Sequence, residues 1–297
     1  MTNFPGAAAV FPYRPACLLR VSGADAETFL QGQFTNDLSD AAPGEAIYGL
    51  WLDRKGRVIA DSHVMKAADG ARFWIASVSS PAPAVIRRLE DHIVADDVAI
   101  EDITASWGGL ALIGGDTGAW LEGESRPGLY FPGRRNSAEN WEWLYPDSDS
   151  RSVLAAVSDA TRLPPDEVER LRIASAIPSI PADIGPADLP NEGGLESQAI
   201  SYSKGCYLGQ EVMARIKAMG RVRRTLVRVS GRGSPPALPA ALWRGERREG
   251  ELRSAVPNAG GRGFSGLALV SAAGLPGGGP LALARGGPPA VEVARDA

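Results

Sequence analysis

At 297 residues the chain is too long for one small domain and fits two or three domains of about 100–150 residues each. Apolar residues make up 44%, enough to build packed cores, which excludes disorder of the whole chain. The formal net charge of −4 gives no general reason to expect binding to nucleic acid or to an anionic membrane.

The segment Met1 to Ala16 has no basic region leading into an apolar one, so no secretory signal is expected. Cys17 to Val21 reads as a strand, and Ser22-Gly23-Ala24-Asp25 as a turn ending in an N-cap. The helix that follows turns Phe29 and Leu30 inward and stops near Thr35-Asn36-Asp37. Ile47 to Leu52 and Val58 to Met65 read as strands paired across Asp53-Arg54-Lys55-Gly56, and Arg72 to Val78 as a third. Pro83 to His92 carries a helical stripe of Val85, Ile86 and Leu89. Strands with packed helices in this order predict an α+β layer.

Gly109 to Ile113 opens a second strand set that includes Trp141 to Tyr145, where Trp141 and Trp143 share a face and are read as packing residues. Pro164-Pro165-Asp166-Glu167 starts a helix, with proline in the first turn and acids at the positive end of the dipole. Val168, Leu171 and Ile173 or Ala174 form its buried side. Ile180 to Glu196 has no period and is expected to be a loop. Beyond Arg224, short alternating runs at Leu226 to Val229, Gly266 to Val270 and Val291 to Val293 predict a small C-terminal β-barrel or sandwich. Gly274 to Pro289 is expected to be partly irregular. The expected units are 1–105, 106–224 and 225–297.

No apolar run approaches the ~18–20 residues that span a bilayer. Two distant cysteines, Cys17 and Cys206, argue against a disulfide framework and for a reducing, cytoplasmic location. Cys17 lies in an apolar strand and reads as a small buried hydrophobe. Chemistry concentrates instead at Lys204-Gly205-Cys206-Tyr207-Leu208-Gly209-Gln210-Glu211. Val212 and Ile216 at i, i+4 place a helix start near Tyr207 to Gly209. That puts Cys206 at a helix N-terminus beside Lys204, two influences that favour a thiolate able to attack an electrophile or to ligate iron. Gln210 and Glu211 are read as ligand contacts, helix caps or loop supports.

This eight-residue run, followed by Arg215, resembles the signature of the YgfZ-type folate-binding proteins, which include mitochondrial assembly factors for a subset of iron–sulfur enzymes. Val21 to Asp25, Phe29 to Gln33, Thr35 to Asp37, Lys55-Gly56-Arg57, Ile177-Pro178, Leu189 to Glu192 and Ser201 to Gly205 follow in that family's order, so the likeness spans about residues 15 to 225. A relative of the family, the glycine-cleavage aminomethyltransferase, implies the fold: three domains in a ring around a central cavity that holds folate, ending in a small β-barrel. Where that relative has a Gly-Gly-x-x-Asp-Asp turn, this chain has Gly56 to Asp61 with one acid, a departure that argues against glycine cleavage. Where some bacterial members set tryptophans against the ligand, the aligned residues are Ala16 and Val168.

The resemblance implies an accessory factor for assembly or repair of iron–sulfur clusters in client enzymes; it leans away from an enzyme and leaves that question open, an enzyme here being a folate-dependent transferase. Cys206 and Lys204 are its expected working pair, with Cys206 as transient cluster ligand or redox thiol. One thiolate cannot hold a cluster that needs about four protein ligands, so the cluster is expected to be shared with an A-type or glutaredoxin-like carrier. Gln33, Asn36 and Asp37 are candidates to face a tetrahydrofolate-like ligand, or else to cap a helix. Lys55 and Arg57 are candidates for its glutamate tail, or else solvated turn cations, and Tyr207, Gln210, Glu211 and Arg215 complete the expected ligand contacts. Arg215, Lys217, Arg221, Arg223 and Arg224 are read as a solvated basic face, with an acidic partner or RNA phosphate as the other possibility. His63 and His92 lack metal-ligand spacing. The rival function is a folate-dependent one-carbon transferase, aminomethyltransferase-like or acting on tRNA.

Overall fold

The computed structural model describes residues 4–123, 126–220, 222–275 and 279–294. The first strand, β1 (Ala9–Tyr13), leads directly into β2 (Cys17–Ser22) and α1 (Ala26–Gln33). Then come β3 (Ala46–Leu52), β4 (Val58–Lys66), β5 (Arg72–Ser77), α2 (Ala82–Glu90) and β6 (Ala99–Asp102). Strands β2 to β6 form a five-stranded sheet in the order β3-β4-β5-β2-β6. Its core holds Leu19, Val21, Phe29, Leu30, Trp51 and Ile75, with Val85 and Leu89 of α2 packed onto it. Of the expected inward residues, Phe29, Leu30, Val85 and Leu89 are buried, Ile86 is half-buried, and Arg88 is buried beside them. Asp25 is the exception to its expected role: its side chain makes no cap bond, and Oδ2 instead accepts the Asp97 N–H at 2.8 Å.

The second sheet contains β7 (Trp107–Ile113), β8 (Leu129–Pro132), β9 (Asn140–Pro146) and β10 (Thr161–Arg162), with α3 (Thr117–Glu122) and α4 (Ser150–Ala156) between its strands. Its order is β10-β1-β7-β9-β8, so the chain's first strand is hydrogen-bonded into the later sheet, Ala9 opposite Ile113. Trp143 and Trp141 pack with Trp120 and Leu112 in its core. Helix α5 (Pro165–Ala174) buries Val168 and Ile173, while Ala174 is exposed.

The long link from α5 contains one short helix, α6 (Glu196–Ala199), and leads to α7 (Gln210–Met219). Strands β11 (Arg224–Gly231), β12 (Ala240–Arg244), β13 (Arg247–Pro257), β14 (Phe264–Ser271), β15 (Leu281–Ala282) and β16 (Pro289–Val293) close the expected C-terminal barrel. Three of its strands were not legible: in β13 the polar run Arg247-Arg248-Glu249-Gly250-Glu251 masks the pattern of buried Glu249, Leu252, Ser254 and Val256, while β12 buries only Leu242 and β15 is two residues long.

The barrel is tied to α5 by a buried polar network. Arg172 donates to Asp183 Oδ2 at 2.7 Å and to Ser254 Oγ at 2.8 Å, and Ser254 Oγ donates to Asp183 Oδ1 at 2.6 Å. Arg224, at the start of β11, reaches back to Glu192 at 2.8 Å and to Asp188 at 3.0 Å. Each buried carboxylate thus meets a guanidinium, which is the condition for keeping such a charge inside.

Candidate functional site

The signature segment is seated on the first sheet. Tyr207 and Met213 pack with Leu50, Leu52 and Val58. Burial of large side chains of this kind contributes roughly 1.5–3 kcal/mol each. Gly209 caps α7 with φ +90, and Gly56 turns with φ +73, values that favour glycine. A Cβ on Gly56 would lie 2.8 Å from Met213 Cε, so the Asp53–Gly56 turn and α7 meet at close range. Asp53 Oδ1 fixes that turn by accepting the N–H groups of Lys55 and Arg57, each at 2.8 Å. The Lys55 and Arg57 side chains are exposed.

Cys206 is exposed and Cys17 buried; both are free thiols. Helix α7 begins at Gln210 with Gly209 as its cap, so Cys206 precedes the helix by the turn Tyr207–Gly209 instead of occupying its first turn. Lys204 is 7% exposed, and its ammonium is committed elsewhere. Nζ donates to the carbonyls of Gln31 at 2.7 Å, Phe34 at 2.8 Å and Asn36 at 2.8 Å, with Gln31 Oε1 at 3.3 Å. The expected juxtaposition of cation and thiol is replaced by a cation at the negative, C-terminal end of α1. Burial pushes the Lys204 ammonium down to about 8, against an opposing pull from Asp37.

The other expected ligand contacts hold the protein together. Gln33 Oε1 accepts from Arg88 at 2.9 Å. Asn36 Nδ2 donates to Tyr48 O at 2.9 Å and Gln198 O at 3.2 Å. Asp37 Oδ1 accepts from Ser39 Oγ at 2.6 Å and Gln31 Nε2 at 2.7 Å, bonds that hold its carboxyl below the usual range. Tyr207 is buried, its phenol raised to about 12 by desolvation. Glu211 and Arg215 are exposed and Gln210 half-buried. Of the basic cluster, Arg224 is paired with acids, Lys217 lies over the Tyr202 ring at 3.9 Å, and Arg221 falls outside the described residues.

None of the expected ligand contacts lines the cavity of ≈ 190 Å³ that opens between the first sheet, the β8–β9 connection and α5. Its walls include Tyr48, Asp61, His63, Arg134, Arg172 and Ser179. Asp61 accepts hydrogen bonds from Ser80 Oγ at 2.6 Å, Ser77 Oγ at 3.0 Å and Tyr48 OH at 3.0 Å. Burial raises its pKa, opposed by those three hydroxyls and by Arg134. The Arg134 guanidinium lies 3.9 Å from the Tyr48 ring centroid and donates to Gln198 Oε1. The His63 ring lies 4.5 Å from that of Phe131, tilted by 37°, and is kept neutral by burial, its pKa pushed down to about 3. Arg134 and Ile177 also line an adjoining, more open groove of ≈ 540 Å³. Sequence reasoning had named Asp61 as the single acid of its turn and missed the rest of the wall. The available signal was Asp61 and His63 at spacing two, which places both on one face of the strand Val58–Lys66. Among the described residues, no group of three or more His, Cys, Asp or Glu is arranged to hold a metal ion.

Two five-stranded sheets, a closed six-stranded barrel and a cavity between sheets and helix define an aminomethyltransferase-like fold. The glycine cleavage system aminomethyltransferase T of Bartonella henselae superposes with a TM-score of 0.79 over 98% of this chain and 86% of that one, at 19% identity. Residues 6–125 match the GCVT N-terminal domain family. Over 243 residues the chain is 26% identical to the tRNA-modifying protein YgfZ of Aliivibrio fischeri, covering 79% of this chain and 74% of that protein. It is 27% identical over 259 residues to the mitochondrial iron–sulfur cluster assembly factor IBA57 homolog of Phaeosphaeria nodorum, covering 79% of this chain and 59% of that protein. The resemblance carried by the signature is borne out: the chain is similar to the YgfZ-type proteins over most of its length and has the fold of the aminomethyltransferase.

Proposed function

We propose that this protein is an accessory factor for assembly or repair of iron–sulfur clusters in client enzymes, with Cys206 as the thiol that transiently ligates the cluster. The observation that carries this reading is an exposed Cys206 flanked by buried Lys204 two positions before it and buried Tyr207 after it, with no cluster of metal-ligating side chains among the described residues. A lone thiolate supplies one of about four protein ligands, so the cluster is cargo shared with a carrier that brings the others. An A-type or glutaredoxin-like carrier fits that requirement. The likeness to a protein named as an assembly factor supports the same reading. Free, unpaired cysteines agree with a cytoplasmic location. In this reading the chain divides at 105/106 and 224/225 into three units, with β1 reaching from the first into the second sheet.

The cavity suits a tetrahydrofolate-like ligand. At ≈ 190 Å³ it has room for a ring system, less than the ~300–1,000 Å³ typical of a site for a whole drug-sized ligand. The groove that continues past Arg134 gives an acidic tail a place beside a guanidinium. Asp61, Tyr48 and Ser179 would hold the ring, and Arg134 the tail. When bound, such a ligand supplies one-carbon chemistry. Asp61 favours the second reading, a folate-dependent transferase, because it sets an acid with a raised pKa against the cavity. Relatives named as tRNA-modifying point to tRNA as its substrate.

Anaerobic mixing with a cluster-loaded carrier tests the leading reading. Wild type is expected to form a cluster-bearing complex by absorbance and native mass, and Cys206→Ala to lose it. Equal complex formation by Cys206→Ala removes the ligand role. Methyl or formyl transfer from a folate by the purified protein promotes the second reading.

A further inference from the structure

The working thiol sits on a short exposed segment, Gly205-Cys206, where a flexible loop would be the ordinary expectation. Gly205 has open space around it: a Cβ there would meet nothing within 4 Å. What fixes the segment lies on either side. Downstream, Tyr207 is buried and its carbonyl accepts the Gln210 N–H at 3.2 Å. Upstream, Lys204 reaches across to a part of the chain 168 to 173 positions earlier and donates to three carbonyls at 2.7–2.8 Å. Those carbonyls belong to the last turn of α1 and the residues just beyond it, groups that the helix leaves without an internal partner. An ammonium has three N–H donors, and here each has a carbonyl.

We propose that Lys204 is the positioning residue of the thiol: its ammonium clamps the Cys206 segment to the C-terminal end of α1, and it acts by geometry and not by charge at the sulfur. The clamp is also tied to β3 and to the approach to the signature. Asn36, whose carbonyl Lys204 holds, donates through its side chain to Tyr48 O on β3 and to Gln198 O. Thr35 adds bonds on the same path: its Oγ1 donates to Ala199 O at 2.6 Å, and its carbonyl accepts the Ser201 N–H at 3.0 Å. The cation therefore joins three segments distant in sequence: the end of α1, strand β3 and the approach to the signature.

The inference rests on Cys206 being the working group, and its test reads position separately from cluster chemistry. Amide hydrogen exchange and carbamidomethylation by iodoacetamide are measured on wild type, Lys204→Met and Lys204→Arg. Lys204→Met loses charge-assisted hydrogen bonds and is expected to raise exchange at residues 205–207, and the alkylation rate of Cys206, by about tenfold. Exchange in barrel strand β14 should not change. Lys204→Arg, which keeps donors for the same carbonyls, is expected to return both readings to within about threefold of wild type. Unchanged exchange and alkylation in Lys204→Met overturns the proposal, as does a Lys204→Arg protein that is folded yet as perturbed as Lys204→Met. Should Lys204→Met fail to fold, the wild type decides: a lysine ammonium bound to three carbonyls gives a solvent-protected 15Nζ signal at neutral pH and low temperature, and its absence refutes the clamp. If both readings follow the clamp while Cys206→Ala still forms the cluster complex, the positioning role stands and the iron–sulfur reading fails.

Discussion

Gly56 and Gly209 meet backbone to backbone: a Cβ on Gly209 would lie 3.2 Å from Gly56 Cα and 2.9 Å from Asp53 O. The two glycines come from motifs separated by about 150 residues of chain, and their contact is where the Lys55-Gly56-Arg57 turn supports the start of α7. Both have positive φ, so each position combines a conformational and a steric demand for glycine.

Gly209→Ala therefore has to place a side chain in a left-handed conformation, at roughly 1–2 kcal/mol, and against backbone that has no room to yield. The expected loss is about 2 kcal/mol or more in urea unfolding, whereas Gly205→Ala in the same signature should change stability by less than about 0.5 kcal/mol. Equal effects of the two substitutions would show that the close approach is not what Gly209 provides.

The two cysteines are expected to behave oppositely toward a thiol reagent. Cys17 is wholly buried in β2, with its thiol pushed far up by desolvation, while Cys206 is exposed. Native protein should titrate one thiol and denatured protein two, and Cys206→Ala should bring the native count to zero. Two fast thiols in the native state would contradict the packing of β2.

His63 makes the fold sensitive to acid. Burial pushes its native pKa down to about 3 from the ordinary histidine value of 6.5, so between those values the unfolded chain binds a proton that the native state does not. Stability contributed by this group thus falls as pH falls through that window, by up to about 1.4 kcal/mol per unit. Asp61, whose pKa is raised in the fold, works in the opposite direction, so the comparison is made between variants. His63→Gln should lose some packing at pH 7 but flatten the decline between pH 6 and pH 4 measured by urea unfolding. A parallel decline in both proteins would remove His63 as the cause.

Arg172→Met strips the guanidinium from the junction of α5, the Ile177–Asp183 segment and the barrel. It leaves Asp183, fully buried, with the Ser254 hydroxyl and the Ser179 N–H as its remaining partners among the described residues. Removing one partner of a buried pair typically costs about 3–5 kcal/mol. Replacing Asp183 with Asn in the same chain should recover part of that loss in thermal unfolding, since no unpaired charge then remains.

Binding of 5-formyltetrahydrofolate, followed by calorimetry, should weaken about tenfold in Arg134→Ala through loss of a charge-assisted contact to the tail. Gln210→Ala and Arg215→Ala, which lie outside the cavity, should leave it unchanged. No heat with wild type at high ligand concentration takes folate out of the reading altogether.

The local elements were readable because they leave periodic or compositional marks. Phe29 with Leu30, Val85 with Leu89, and the proline and acids opening α5 each announce a helix and its buried side within a few residues. The signature around Cys206, the isolation of its thiol and the terminal barrel are properties of the sequence by itself. Tertiary structure decided what those residues touch. Nothing local in Lys204-Gly205-Cys206 says that the ammonium will spend its donors on carbonyls of residues 31, 34 and 36, and sequence proximity to the thiol suggested otherwise. The same holds for the cavity, whose wall brings Tyr48, Asp61, Arg134 and Arg172 together from three regions of the chain. A hydrogen bond to a backbone carbonyl is specified by geometry and not by the identity of the residue that offers it, so it leaves no trace in the sequence. Which end of α1 meets Lys204, and which side chains face the cavity, follow only once both sheets and the barrel have packed.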